Sequence, residues 1–103
     1  MSRQTKGGVK ERVVEKYQVK EPHLWKVLFM NDDVTPVEFV TSVIKTIFDK
    51  GYKEARKITL EIHHGVSGVV GTYPKSIAEA KKMQADTMSK AKNYPLAIKL
   101  ERE

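Results

Sequence analysis

Asn31, Asp32 and Asp33 place an amide and two carboxylates side by side, just after an apolar stretch and just before a helix start. Two chemistries suit such a run. Asn and Asp favour turns, because their short side chains bond nearby backbone N–H groups. The same oxygens, gathered at one spot, can hold a ligand. Thr35 is already available to cap the helix that follows, so three such residues exceed what a turn requires. Both readings stay open on composition alone. His63 and His64 form a second cluster. Near a helix C-terminus histidine suits the dipole, and only one of the pair can face the loop before the first helix, because neighbours on a helix diverge by roughly 100°. That divergence also argues against a zinc site made from the two histidines and two aspartates. Nucleophilic catalysis lacks its parts. No glycine elbow surrounds a serine, there is no phosphate loop, and Ser67 reads as strand.

The elements that must position these residues follow from periodicity. Residues 23–30, HLWKVLFM, alternate with both sets largely apolar, which predicts a strand that is central or covered on both faces. TPVE at 35–38 predicts a helix start, with Thr35 as N-cap, Pro36 in the first turn and Glu38 closing a capping box. Phe39, Val40, Val43, Ile44, Ile47 and Phe48 recur at helical spacing, and Gly51 is the expected stop. A second helix is expected over 52–64, with Ala55, Ile58, Thr59 and Ile62 on one face and Gly65 as its end. VSGVVGTY at 66–73 reads as a strand with a bulge or a close approach at its glycines. A third helix runs from Pro74 to about Lys92, with Ile77, Ala80, Gln84, Thr87, Met88 and Ala91 on one side. YPLAIKLE at 94–101 alternates as a last strand. The order β-α-α-β-α-β predicts a small α+β fold, three strands in one sheet with the helices on one face.

The whole chain has 103 residues and no cysteine. That suits one domain with its own core, without disulfides or thiolate chemistry. No apolar run approaches the roughly 20 residues that span a bilayer, and residues 1–20 lack a signal-peptide core. The expectation is a soluble intracellular protein. Of the net charge of +6, residues 1–20 contribute +4, from six Lys/Arg and two Glu, and the rest only +2. The division is therefore a basic, flexible tail over residues 1–22 and a folded domain over 23–103. The basic tail and high pI also fit a different class, a ribosome- or RNA-associated binding module. A nearly neutral folded part and the Asp32-Asp33 pair, which repels phosphate, weigh against it.

The string NDDVTPVEFV, followed by KEARKITLEIHH, GVVGTY, IAEAK and YPLAIKLE, resembles the ClpS family, the adaptors that hand N-degron substrates to the Clp protease. The similarity runs from about residue 24 to residue 101. The resemblance implies a three-stranded antiparallel sheet like that of the ribosomal stalk protein C-terminal domain, and an adaptor with no catalysis and no cofactor. It implies recognition of a free N-terminus bearing Phe, Tyr, Trp or Leu. Carried onto this chain, Asn31, Asp32 and His63 bind the substrate's α-amino group and Asp33 supports the loop. Thr35, Val37, Val40, Thr59, Ile62 and Leu96 line a hydrophobic pocket. Methionine is common in the family where Val37 and Thr59 stand, so a wider pocket that also admits Ile or Val is expected. Lys81 matches a docking lysine, and Ser76 stands where glutamate is common. The implied partner is the N-terminal domain of a Clp AAA+ unfoldase of the ClpA or ClpC type, met by a monomer with no nucleic-acid or membrane partner. The implied location is the cytoplasm, or the stroma in a plastid-bearing source, and the tail takes part in delivery.

Overall fold

The computed structural model describes residues 23–103; the expected tail over residues 1–22 lies outside them. Six elements follow in order: β1 Leu24–Met30, α1 Val37–Ile47, α2 Tyr52–His63, β2 Ser67–Pro74, α3 Lys75–Ala91 and β3 Ile98–Arg102. The three strands form one antiparallel sheet in the order β2-β1-β3. This is the α+β architecture expected from the element order.

β1 is central, and its alternation divides the two faces of the sheet. Val27 and Phe29 are fully buried beneath the helices, each contributing roughly 1.5–3 kcal/mol through burial. Leu24, Lys26 and Leu28 point to the other face, where they are half-buried or exposed, and Met30 at the end of the strand is half-buried. Opposite Val27 and Leu28, β2 carries an extra residue, Val70, which places the expected bulge beside Gly71. The helices close the core with Val43, Ile44 and Phe48 from α1 and its end, Ala55 from α2, and Ala78 and Ala85 from α3. Past β3, the Glu103 N–H donates to the Leu24 carbonyl at 2.9 Å, so the two ends of the described chain lie together.

Four local expectations need correction. Thr35 does not cap α1: Pro36 is the N-cap residue and no side chain bonds the helix end, because the Thr35 hydroxyl is turned to Asp32. Gly51 does not end α1. The helix stops at Ile47, and Asp49 takes the left-handed conformation (φ 56°), which Asp tolerates better than most residues. Gly51 instead has φ −69° and opens α2, its carbonyl accepting from the Ala55 N–H at 2.9 Å. On α3 the expected apolar side is the outer one. Ile77 is 46% exposed, and Ala80, Gln84, Thr87 and Ala91 are exposed; of the expected set only Met88 packs against the core, whereas Ala78, Ala85 and Ser89 are buried. Small residues let α3 lie close against β1 and β3, and they carry little hydropathy signal. The last strand begins at Ile98 and not at Tyr94, since Pro95 has no N–H for a ladder and Asn93 turns the chain at φ 60°.

Candidate functional site

The end of β1 is held from both sides. The Met30 N–H donates to the Ala97 carbonyl and the Asn31 N–H to the Val66 carbonyl, both at 2.9 Å. Ladder bonding thus fixes where the Asn-Asp-Asp loop leaves the sheet. The Asn31 amide nitrogen then donates to the carbonyls of His63 at 3.4 Å and Gly65 at 3.2 Å, which brings the loop against the C-terminal end of α2. With the nitrogen so occupied, the amide oxygen is the atom left to accept.

Asp32 organises the next turn. One carboxylate oxygen accepts the N–H groups of Val34 at 2.8 Å and Thr35 at 2.7 Å, and the other accepts the Thr35 hydroxyl at 2.9 Å. Desolvation raises its pKa, but these bonds to the charged form outweigh it and hold the carboxyl below its ordinary value. A carboxylate has about four lone-pair sites, so one remains after these three bonds. The loop support expected of Asp33 is therefore the work of Asp32. Asp33 is exposed and, among the described residues, makes no side-chain hydrogen bond.

These residues open onto a pocket between the N-terminal end of α1 and the C-terminal end of α2. The recess spans roughly 300 Å³ of non-protein space, open solvent at its mouth included. Asn31, Asp32 and His63 stand at the mouth. Thr35 and Val37 form the half-buried wall. Val40, Thr59, Ile62 and Leu96 form a buried floor. The structure thus brings together nine of the ten residues expected to bind or support a substrate; Asp33 stands outside. Of the two histidines only His63 lines the pocket; the His64 ring meets it edge-on at 5.2 Å. Gly68 of β2 lets the strand approach the floor, since a Cβ there would stand 2.6 Å from the Ile62 side chain.

Two contributors escaped the sequence reading. Met30 lines the pocket from the last position of β1. Thr41, buried in α1, lies behind the floor with its hydroxyl 2.9 Å from that of Thr59 and 3.0 Å from the Val37 carbonyl. The Thr59 hydroxyl in turn donates to the Ala55 carbonyl at 2.8 Å. The available signal was a threonine inside an otherwise apolar helical stripe, one turn after Val37.

Lys81 and Ser76 lie elsewhere, on α3. Ser76 is exposed in the first turn. Lys81 is half-buried: its ammonium donates to the Ile47 carbonyl at 2.6 Å, lies 3.8 Å from the Asp49 carboxylate, and sits over the Tyr73 and Phe48 rings at 5.2 and 5.7 Å. It therefore closes the C-terminal end of α1. Burial, and then the charge of Asp49, pushes the nearby Tyr73 phenol above its ordinary value.

Among the described residues no helix is long and apolar enough to cross a membrane. A family model described as "ATP-dependent Clp protease adaptor protein ClpS" matches residues 20–99. An ATP-dependent Clp protease adapter protein ClpS of Campylobacter jejuni subsp. doylei is 37% identical over 95 residues, covering 92% of this chain and 99% of that protein. The Parvibaculum lavamentivorans protein of the same name is 42% identical over 100 residues, covering 94% of this chain and 90% of its own length. Among solved structures, Agrobacterium tumefaciens ClpS2 bound to L-phenylalaninamide superposes with a TM-score of 0.78 at 37% identity. That match covers 81% of this chain and all of the other.

Proposed function

The chain belongs to the ClpS family of Clp protease adaptors, and from that premise we propose that Asn31, Asp32 and His63 receive the free α-amino group of a substrate whose large hydrophobic first side chain enters the pocket below them. The observation that carries this reading is the polarity gradient within one pocket: an acceptor-rich rim above a floor of Val40, Thr59, Ile62 and Leu96. An α-ammonium has three N–H donors, and it meets the Asn31 amide oxygen, the remaining lone pair of Asp32 and a neutral ring nitrogen of His63. Hydrogen bonds to charged groups contribute roughly 1.5–3 kcal/mol each, and burial of a Phe or Leu side chain contributes a similar amount. Ordering of the peptide opposes both. The balance corresponds to an affinity on the order of micromolar, about −8 kcal/mol. The phenylalaninamide held by the Agrobacterium relative is itself an aromatic residue with a free α-amino group and an amide in place of the carboxylate.

The partner in this reading is the N-terminal domain of a ClpA- or ClpC-type unfoldase, docked around α3, where Ser76 and the exposed Ile77 lie on the surface. Residues 1–22, outside the described part, serve delivery and not recognition. The adaptor carries no catalysis of its own and works in the cytoplasm or the stroma. Fluorescence polarisation with peptides differing only at the first position tests the core of the proposal. A Phe- or Leu-initiated peptide binds, and the same peptide acetylated at its N-terminus does not. Equal binding of the two forms would exclude the α-amino assignment.

A further inference from the structure

Val40, Thr59 and Ile62 stand on helices, whereas the fourth floor residue, Leu96, stands on the irregular stretch 94–97 between α3 and β3 and is still only 7% exposed. A helix fixes its side chains through its own backbone bonds. A loop residue is placed by whatever anchors the loop. Here the backbone is anchored at both ends of the stretch. The Tyr94 N–H donates to the Ser89 carbonyl at 2.9 Å, just after the left-handed turn at Asn93, and the Ala97 carbonyl accepts from the Met30 N–H at 2.9 Å. Pro95, between them, has no N–H to donate. A further hold is aromatic. The Tyr94 ring meets the Phe39 ring of α1 edge-on, with centroids 4.8 Å apart and planes at 66°, a favoured geometry for such a pair. Both rings are half-buried, and neither lines the pocket. Phe39 precedes Val40 on α1, so the ring pair ties the loop that carries one floor residue to the helical turn that carries another.

We propose that Tyr94, braced on Phe39, is a positioning residue for Leu96 and thereby sets how large a first residue the pocket prefers. The inference rests on the proposed α-amino reading and specifies the size selectivity of that site. A smaller residue at position 94 vacates space against Phe39, outside the pocket. The loop slackens toward that space, and Leu96 withdraws from the floor. A leucine first residue then loses its floor contact, while the longer tryptophan side chain reaches into the deepened space. Asn31, Asp32 and His63 belong to the loop after β1 and to α2, so the α-amino contacts stay in place. The contact energy of one ring pair is modest and corresponds to a change of about three- to tenfold in the Trp-to-Leu affinity ratio.

The test measures peptides that begin with tryptophan and with leucine, otherwise identical, on wild type, Tyr94→Ala and Tyr94→Phe. Tyr94→Ala is expected to raise the Trp-to-Leu affinity ratio about three- to tenfold. Tyr94→Phe keeps the ring and loses only the hydroxyl, so its ratio should stay at the wild-type value. A merely structural role for Tyr94 moves both affinities together and leaves the ratio alone. An unchanged ratio in folded Tyr94→Ala, with free-amine binding intact, therefore overturns the inference and leaves the adaptor reading standing. A ratio in Tyr94→Phe that moves as far as in Tyr94→Ala overturns it as well. Should the alanine variant fail to fold, Tyr94→Leu, which fills more of the space without a ring, is judged by the same criterion. In wild type the Leu96 methyl resonances should shift when the Leu-initiated peptide is added, and their silence overturns the inference without reference to any variant. Failure of both peptides to outbind their acetylated forms removes the α-amino reading and this inference together.

Discussion

The loop that leads into α1 is turned by the carboxylate of Asp32, and the helix's C-terminal end is met by the ammonium of Lys81. The Lys81 charge complements the helix dipole, and both residues belong to the motifs that carry the family resemblance. Their surroundings differ. Asp32 is bonded to its own loop, keeps a lone pair and lines an open pocket. The Lys81 ammonium is enclosed by a carbonyl, a carboxylate and two aromatic rings. One end of the helix is built to receive a further group and the other to be closed. Residue type and motif membership do not separate these roles; the unused bonding capacity at each end does.

If that contrast is sound, the largest effect comes from Asn31→Ala. The amide oxygen is lost from the mouth while Asp32 still holds the turn. Affinity for a free N-terminal Leu or Phe should fall roughly 10- to 150-fold, with a stability loss of only about 1 kcal/mol from the two exposed bonds to the His63 and Gly65 carbonyls. Polarisation titrations and a melting curve check it, and unchanged affinity in the folded variant would break the contrast. Asp32→Ala is a poorer probe, because three loop bonds disappear together with the charge.

Lys81→Met attacks the closed end. The methionine stem still covers part of the rings, but the Ile47 carbonyl loses its partner. Unfolding in urea should show a loss of about 1–3 kcal/mol with peptide affinity unchanged. If stability holds and binding to an unfoldase N-terminal domain is lost instead, the ammonium is a docking group and the closed end is not closed.

A smaller effect concerns the pocket wall. Val37 is short where methionine is common in the family, and it is half-buried. Wild type should accept an Ile-initiated peptide within severalfold of its Leu counterpart, and Val37→Met should widen that gap to about tenfold. Equal rejection of Ile by both proteins would show that neighbours such as Leu96 fill the space.

The smallest effect is on acid stability. The Asp32 carboxyl is held below its unfolded value, about 3.9, by its loop bonds. Its stabilising contribution is therefore complete above that value and is lost as pH falls through the lower folded value. Melting temperatures from about pH 6 to pH 2.5 should fall less steeply in Asp32→Asn than in wild type; parallel curves would contradict the assignment.

Much of this was legible in the residues. The stripe from Val40 to Phe48 has a strong 3.6 period and nearly every member is buried, so α1 and the order of elements could be read directly. The pocket set was legible through a motif dense enough to carry a family. The division of labour inside Asn31-Asp32-Asp33 was not, because it depends on where each Cβ points in an irregular turn. The inner face of α3 was hidden because Ala78, Ala85 and Ser89 are buried for their smallness, whereas Ile77 beside them is half exposed. Asp49, and not Gly51, took the left-handed position because the chain turns two residues earlier than the glycine.

The bond from Glu103 to Leu24 has a practical consequence. β1 runs seven residues from Leu24 to Met30, a rise of about 20 Å, and Asn31 stands at its far end. The chain therefore enters and leaves the described fold at one pole, while the pocket occupies the other. A dye, bead or surface linker joined after Glu103 sits about 20 Å from the bound N-terminus, too far to obstruct it. A linker after Glu103 is accordingly a better tether for force or immobilisation measurements than Lys57 on α2, the helix that contributes Thr59, Ile62 and His63 to the pocket.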